Sequence, residues 1–469
     1  MKEIFKTQIN RVFFLVVVVS LFVIAFLYLL NNFSNLKVKS IEVRGDKENA
    51  EIINQEIQIE FSSPILESEV GNYIKVTPDE NYKLSVNGSK LLISFENNII
   101  ADTEYIISVL PGLEDRFGKT LERSIDYSFK TKTFGLFFID NRIDGKNILK
   151  FYSESSEFED ILSVSKIKSY SLNSEYLVAV SDEENGSEGL IYIDLKSRDK
   201  KIKQFPNTVI TSISMSPVKN IVVFSAYDIE ETSPGFFIPK GLAGMYFYNI
   251  EEDLLEKIDT NLLTSDIGNV EFAADGRTIL FEDEFKNEYF LLDYFNREEF
   301  ISIGLFQQSG GFGVDSDKIV FSESDLEKYG LRKSVISVVD STREITNYSA
   351  IDGFAIDPDY LHRSDEVIYS SKYQELSGSK GLFELKISDG ENQRDVFKID
   401  GRSVEFVKLS SDDRFAAFEV YDPQDIIDYD NQRILNFQSK PTKAKIMILN
   451  LESGELIKEF SGTMPLWSR

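Results

Sequence analysis

The acidic side chains of this chain have the clearest capacity for chemistry. The chain holds 78 Asp and Glu residues against 51 Lys and Arg, a formal net charge of −27. Four carboxylates recur in one polar stretch, at Asp422, Asp425, Asp428 and Asp430. Such a group could bind Ca²⁺, but its spacing departs from the D-x-[DN]-x-[DN]-G pattern of a calcium loop. The spacing favours a solvated acidic loop, and we predict no metal site and no cofactor.

Paired carboxylates could also cleave glycosidic bonds, since glycosidases hold two of them about 5–10 Å apart. With 78 acidic residues, a suitable pair of carboxylates could form anywhere in the chain. The repeated S-x-D-x-G-x-T-W box of sialidases is absent. An envelope carbohydrate-active enzyme of the glycosidase type therefore stays as the alternative function.

Composition excludes other kinds of catalytic site. The chain has no cysteine, which rules out disulfides and thiolate chemistry, and His362 is its single histidine. His362 lies in the polar stretch DPDYLHRSDE, which is typical of a solvated turn. There is no G-x-S-x-G elbow, and GGFG at 310–313 lacks the lysine of a phosphate-binding loop. We expect no catalytic residue and favour a binding protein over an enzyme.

The charge also limits the partners. An acidic surface repels phosphate backbones, so nucleic acid is excluded as the expected partner. The first eleven residues hold Lys2, Lys6 and Arg11 against Glu3 alone, so the remainder is more acidic still. Such a surface suits a self-repelling domain outside the cytoplasm, with basic or cation-bridged partners.

Residues 12–30, VFFLVVVVSLFVIAFLYLL, contain no charge. A helix of this length matches the ~30 Å hydrocarbon core of a bilayer, so we predict a transmembrane helix. A cleaved signal peptide is the alternative, but its apolar region is shorter and ends in a small-x-small site, which is absent here. We expect residues 1–11 to be a cytoplasmic tail and the bulk of the chain to be extracytoplasmic.

Residues 37–132 alternate apolar and polar side chains in short runs such as EIQIEF (56–61) and EYIISV (104–109). Alternation with a period of two predicts strands, and Asn87-Gly88 predicts a tight hairpin. About seven such runs indicate an Ig-like β-sandwich. The pieces IEFSSPI (59–65), ADTEYIISV (101–109), LEDRFGKTL (113–121) and YSFKT (127–131) resemble the bacterial Ig-like domains of surface-layer proteins. The resemblance implies a spacer or display unit, with Asp102, Glu114 and Asp115 as turn and cap residues.

Residues 133–469 repeat one unit every ~40–57 residues: a strand, a polar turn and three further strands. Examples are MSPVKNIVVFS (215–225), FAADGRTILFED (272–283) and KLSSDDRFAAFEV (408–420). Such repeats are typical of β-propeller blades. Residues 133–164 hold three strand-like runs, and MPLWSR (464–469) resembles an isolated first strand. Joining both ends gives a composite blade, hence an all-β chain with a seven-bladed propeller closed by its C-terminal strand. Trp467 is expected to pack there.

The units resemble the TolB-like and dipeptidyl-peptidase-type propeller repeats, whose turn reads S-P-D-G-x-x-[IL]-x-F. Here that pattern is carried by SMSPVKNIVVF and FAADGRTILF. Peptidases with this propeller carry a separate hydrolase domain, and no hydrolase motif occurs in this chain.

Four connections after the second strand of a blade are long: 226–244, 324–333, 372–381 and 421–445. Because these connections share one face of a propeller, we predict a partner-binding surface there, pointing away from the Ig-like domain and the membrane. The alternative is that the loops cap the propeller. Aromatic side chains dominate interface hot spots. The predicted anchors are Phe236, Phe237, Tyr329, Tyr373 and Tyr429.

The sequence thus predicts a membrane-anchored envelope or cell-surface binding or assembly protein of bacterial type. Its expected partners are the membrane, through the N-terminal helix, and an envelope protein or surface glycan. A purely structural envelope spacer is a third possibility.

Overall fold

The structure is a computed structural model, and the chain divides into two compact units, Met1–Lys132 and Thr133–Arg469. It describes residues 12–24 and 35–468, with these gaps: 54, 134, 142–145, 154–155, 183–187, 234–235, 259–266, 284–285, 287, 298–299, 306–307, 313–317, 326–332, 340–343, 353, 362, 365, 374–381, 401–402 and 422–443.

Residues 12–24 of the first unit form an α-helix, which we label α1. This helix covers the first part of the predicted membrane span 12–30, and residues 25–30 lie outside the described residues. Within the described part of the chain, no helix has both the length and the apolar character needed to cross a membrane.

The rest of the first unit is a β-sandwich. One sheet has the strand order β1-β4-β7-β6, a second has the order β5-β8-β9, and β2 pairs with β3. The elements are β1 (Val38–Val43), β2 (Gly45–Asp46), β3 (Asn49–Ala50), β4 (Glu56–Phe61), a 3₁₀ helix (Glu67–Asn72), β5 (Ile74–Thr77), β6 (Tyr82–Asn87), β7 (Lys90–Phe95), β8 (Glu104–Val109) and β9 (Ile125–Lys130).

Alternate side chains of these strands form the core of the sandwich. In β4, Ile57, Ile59 and Phe61 are buried while the residues between them face outward. They pack in one cluster with Ile93 of β7 and Tyr105 of β8. The predicted hairpin is present, since Asn87 pairs with Lys90 around Gly88, whose φ is +63°.

The turn between residues 114 and 120 is built around a buried carboxylate. Asp115 Oδ1 accepts the N–H groups of Phe117 and Lys119, both at 2.8 Å. Its Oδ2 accepts the hydroxyl of Ser63. Gly118 has a φ of +78° and donates its N–H to the Asp115 carbonyl at 3.1 Å. Asp115 is thus a turn residue, and it fixes the backbone of the turn.

We expect Asp115→Asn to destabilise the sandwich by about 1–2 kcal/mol, because a charged acceptor of three hydrogen bonds is lost. Burial opposes ionisation of Asp115, yet the hydrogen bonds from Ser63, Lys119 and Phe117 hold its pKa below the usual value. A lowered folded-state pKa means that its stabilisation is present above about pH 4 and is lost as the pH falls through that pKa. Urea titrations of both proteins between pH 7 and pH 2 should show the stability difference shrinking at the acidic end. A constant difference would contradict this role.

In the described residues the second unit contains seven four-stranded antiparallel sheets. In pairing order they are sheet 1, β37 (Thr463–Trp467), β10 (Gly135–Asn141), β11 (Asn147–Ser153), β12 (Ser156–Val164); sheet 2, β13 (Ile167–Leu172), β14 (Tyr176–Asp182), β15 (Glu188–Asp194), β16 (Lys200–Phe205); sheet 3, β17 (Thr208–Met215), β18 (Ile221–Ser233), β19 (Phe236–Asn249), β20 (Leu254–Lys257); sheet 4, β21 (Ile267–Phe272), β22 (Thr278–Asp283), β23 (Glu288–Asp293), β24 (Phe300–Leu305); sheet 5, β25 (Gln308–Phe312), β26 (Ile319–Asp325), β27 (Lys333–Val339), β28 (Ile345–Asp352); sheet 6, β29 (Phe354–Tyr360), β30 (Val367–Tyr373), β31 (Leu382–Ser388), β32 (Gln393–Asp400); and sheet 7, β33 (Ser403–Leu409), β34 (Phe415–Tyr421), β35 (Lys445–Asn450), β36 (Leu456–Ser461).

The seven sheets have the arrangement of a β-propeller. The first strands of consecutive sheets are in contact. Examples are the pairs β13 and β17, β17 and β21, and β29 and β33. Each hydrophobic cluster draws on two neighbouring sheets, so the core lies between sheets. One example joins Val178 of sheet 2 to Phe224 of sheet 3. A blade that buries its faces only against its neighbours is stable only as part of the ring.

The first sheet is composite, as the sequence predicts. β37 pairs with β10, with Trp467 opposite Leu136. Trp467 is 8% exposed and donates its Nε1–H to the Lys408 carbonyl of sheet 7 at 2.9 Å. Phe460 of sheet 7 packs against Phe138 of sheet 1, with ring centroids 4.6 Å apart. These contacts join the last sheet to the first.

Candidate functional site

The four long connections of the propeller join the second strand of a sheet to its third strand. They lie between β18 and β19, β26 and β27, β30 and β31, and β34 and β35. Second-to-third connections emerge at one edge of a propeller, which we call the long-connection edge. The chain enters the propeller at the opposite edge, where Gly135 exchanges hydrogen bonds with Ser468. Three of the connections lie mostly outside the described residues, which leave out 326–332, 374–381 and 422–443.

The first connection differs from its prediction. Residues 226–244 are predicted as a loop, but 226–233 continue strand β18 and 236–244 belong to strand β19, and these strands are 13 and 14 residues long. Asp228 pairs with Lys240, Ile229 with Pro239 and Glu230 with Ile238. In the described registers, β17 pairs with β18 as far as Asp228 and β20 pairs with β19 as far as Tyr246, so the paired residues of β18 and β19 extend beyond both neighbouring strands. We call this two-stranded ribbon, residues 228–233 and 236–242, the arm.

The arm is exposed and mainly acidic. Asp228, Glu230 and Glu231 are exposed on one strand, and Lys240 is exposed on the other. Of the arm's described side chains, that of Ile229 alone is buried. The arm therefore presents exposed carboxylates that favour a cationic partner.

The structure locates three of the five predicted aromatic anchors in strands. Phe236 and Phe237 begin β19 at the end of the arm, opposite Ser233 and Glu231. Tyr373 ends β30 on the same edge of the propeller, opposite Leu382. Tyr329 and Tyr429 lie outside the described residues, as do His362 and the four aspartates of 422–430.

An exposed aromatic residue on the opposite edge is missing from the sequence prediction. Phe295, in the turn after β23, is 65% exposed. Lys219 Nζ lies 3.9 Å from the centre of its ring, and Arg277 Cζ lies 5.7 Å from it. Arg277 also donates its Nε–H to Asp293 at 2.8 Å, and this hydrogen bond lowers the pKa of Asp293. In the sequence, the one indication of an exposed aromatic residue here is the phenylalanine within the polar stretch DYFNRE (293–298).

Carboxylates on the innermost strands serve the connection between sheets. Asp357 Oδ2 accepts the N–H of Phe406 at 2.5 Å, and Asp359 Oδ2 accepts that of Leu409 at 3.4 Å. Serine hydroxyls have the same role between other sheets, where each accepts a hydrogen bond from a backbone N–H of the next sheet. The pairs are Ser171 with Met215, Ser212 with Val270 and Ser214 with Phe272. Both aspartates are thus structural acceptors. Among the described residues, no group of three or more His, Cys, Asp or Glu side chains could hold a metal ion.

The comparisons with known proteins concern both units. No curated protein matches the chain. It is similar to TolB from Acinetobacter baumannii, with 14% identity and a TM-score of 0.38 over 63% of this chain and 77% of that one. It is similar to the β-propeller domain of the trilobed protease from Pyrococcus furiosus, with 15% identity and a TM-score of 0.44 over 63% and 85% of the two chains. It is also similar to a protein from Lactobacillus plantarum, with 10% identity and a TM-score of 0.46 over 72% of this chain and 99% of that one. Residues 34–131 match the family model of the bacterial Ig-like domain, and the N-terminal sandwich is a domain of that family.

Proposed function

We propose that the chain is a single-pass, membrane-anchored protein of the bacterial envelope whose propeller binds a partner through the long-connection edge. The partner is an envelope protein or a surface glycan. The observation that carries the proposal is the arm, because a ribbon projecting beyond its sheet adds little to the propeller core and exposes the carboxylates of Asp228, Glu230 and Glu231. The Ig-like domain then serves as a spacer or display unit.

The membrane anchor is supported by the surroundings of α1. All thirteen residues of 12–24 are exposed, and its large apolar side chains are between 39% and 72% exposed. A helix that is apolar on every side needs a protein core or a bilayer around it. The uncharged run continues to Leu30, which gives the length a bilayer requires. A bilayer around residues 12–30 satisfies both conditions.

The partner surface is supported by its position and its chemistry. Enlarged second-to-third connections occur in four sheets and share one edge. Within the propeller, that edge lies opposite Gly135, where the chain enters. On the arm, Asp228, Glu230 and Glu231 outnumber Lys240. This charge favours a basic protein segment or a cationic glycan.

The proposal predicts that removing the arm abolishes partner binding and spares the fold. The variant joins Tyr227 to Ala243 through Asn-Gly, which suits a two-residue hairpin turn. Ile229 is the buried side chain lost, so we expect a loss of less than about 2 kcal/mol in the free energy of unfolding. Partner affinity should fall at least about tenfold, equivalent to ~1.4 kcal/mol.

Cross-linking in native membranes tests this prediction, with Lys240 as the reactive amine on the arm. A partner that is cross-linked to the wild-type chain should disappear with the arm-deleted variant and remain with Phe295→Ala, the control on the opposite edge. A glycan partner would appear instead on a polysaccharide panel probed with residues 37–469. Undiminished binding after arm deletion, by either readout, would refute the role of the arm.

A further inference from the structure

The turn at one end of the Ig-like domain displays an apolar side chain between two cations. Phe117 is 66% exposed at its tip, although phenylalanine is usually buried. Arg116 beside it is exposed, and Lys119 is half-buried. Glu114 is the exposed acidic residue of the same turn. With the buried Asp115 the turn has two cations and two anions, so it is electrically balanced in a chain whose net charge is −27, and its cations lie on either side of Phe117.

The tip is held in place by its base. Asp115 binds the backbone N–H groups of Phe117 and Lys119, and Arg116 donates its N–H to the Pro64 carbonyl at 2.8 Å. These bonds fix the backbone on both sides of Phe117. A fixed backbone lowers the conformational entropy lost when the exposed side chain becomes buried in a binding event.

The tip lies at the end of the Ig-like domain where the chain enters it. Leu36 donates its N–H to the Thr120 carbonyl at 3.2 Å, so the chain enters the sandwich directly beside the tip. Residues 31–35 alone separate Leu36 from the apolar run that ends at Leu30, a reach of about 20 Å when extended. The opposite end of the sandwich holds the β2–β3 turn and Lys132, which donates its N–H to the Ala50 carbonyl. The tip therefore lies at the end of the domain nearest the predicted membrane span.

We propose that this tip binds the bilayer surface, with Phe117 inserted at the interface and Arg116 and Lys119 bound to the phosphates of anionic lipid headgroups. Aromatic side chains favour this interface, and cations close to it are attracted to anionic lipids. The inference rests on the proposed membrane anchor and adds a second contact, which fixes the orientation of the Ig-like domain on the membrane.

The absence of cysteine allows a direct test on the full chain. Phe117→Cys is labelled with an environment-sensitive fluorophore, and the chain is reconstituted into vesicles of phosphatidylcholine with phosphatidylglycerol. We expect a blue-shifted emission that is quenched by spin-labelled lipids. The matched control is Glu48→Cys, an exposed position in the β2–β3 turn at the other end of the domain, which should stay unquenched.

Charge dependence provides a second measurement. In the Arg116→Gln/Lys119→Gln background, or in vesicles of phosphatidylcholine alone, the equilibrium between the inserted and free tip should shift by about fivefold per charge removed. A blue shift without lipid quenching would assign the tip to a protein contact and overturn the proposal. Equal exposure of the labels at positions 117 and 48 would overturn it as well.

Flotation of the same vesicles separates this proposal from the anchor. If the chain floats with the vesicles and the label at position 117 stays in water, the lipid-binding tip is refuted and the anchor stands. If the chain fails to float, the anchor is refuted and the tip proposal falls with it.

Discussion

Trp467→Ala is expected to lower the free energy of unfolding of the propeller by about 3–5 kcal/mol, the range for removal of a large buried side chain. The indole packs near Phe415 of sheet 7, with ring centroids 6.1 Å apart, and its N–H binds the Lys408 carbonyl. The same residue pairs through its backbone with Leu136 of β10. Its loss opens a cavity where the last sheet meets the first. Urea unfolding followed by far-ultraviolet circular dichroism measures the effect.

Trp467→Phe is the matched control for this result. It keeps most of the packing and removes the hydrogen bond to Lys408, so a loss of about 1 kcal/mol is expected. A wild-type stability for Trp467→Ala would show that the ring closes without this side chain. Removal of residues 463–469 deletes all of β37, and we expect that variant to lose cooperative unfolding.

Glu188→Ala is expected to cost about 3 kcal/mol, because it leaves two groups without their acceptor. Glu188 is 2% exposed and forms an ion pair with Lys168 of β13. Its Oε2 also accepts the N–H of Ile210, in β17 of the next sheet, at 2.6 Å. One carboxylate thus links a strand of its own sheet to the first strand of its neighbour. Thermal and urea unfolding measure the loss.

Glu188→Gln separates the two contributions. Glutamine retains a carbonyl acceptor for Ile210 and loses the charge, so its cost should be roughly half that of alanine. Lys168→Met should restore part of the stability of Glu188→Ala, since it removes the ammonium group that has lost the Glu188 carboxylate. A wild-type stability for Glu188→Gln, with the full cost for Glu188→Ala and no effect of Lys168→Met, would assign the stabilisation to the Ile210 hydrogen bond alone.

Sequence patterns predict the two units because each strand has one side in a core. The alternation of apolar and polar side chains predicts the positions of β4 and β8. The turn sequences MSPVKN and FAADGR predict where β18 and β22 begin. The closing pair β10–β37 is predicted because neither end of the repeat region makes a complete sheet. These features share a local signal, either a period of two or a turn sequence.

The arm and the contacts between sheets lack such a signal. A ribbon that projects from its sheet buries little, so DIEETS has one buried apolar side chain, that of Ile229, among polar ones, and its sequence indicates a loop. Ser171 or Ser214 looks like any serine in a strand, and its hydrogen bond depends on the position of the neighbouring sheet. For the same reason the sequence does not predict Phe295 and its cations, since Lys219 and Phe295 meet only after sheets 3 and 4 have packed.

The pairing of β10 with β37 also determines when folding can finish. β10 is made near the start of the propeller and β37 at its end, so the inner edge of β10 stays open while more than three hundred residues are synthesised. Phe137 and Ile139, buried in the finished ring, belong to that open edge. Contacts so distant in sequence slow folding, and open apolar edges invite association between chains. The nascent chain therefore needs protection from aggregation until its final strand arrives.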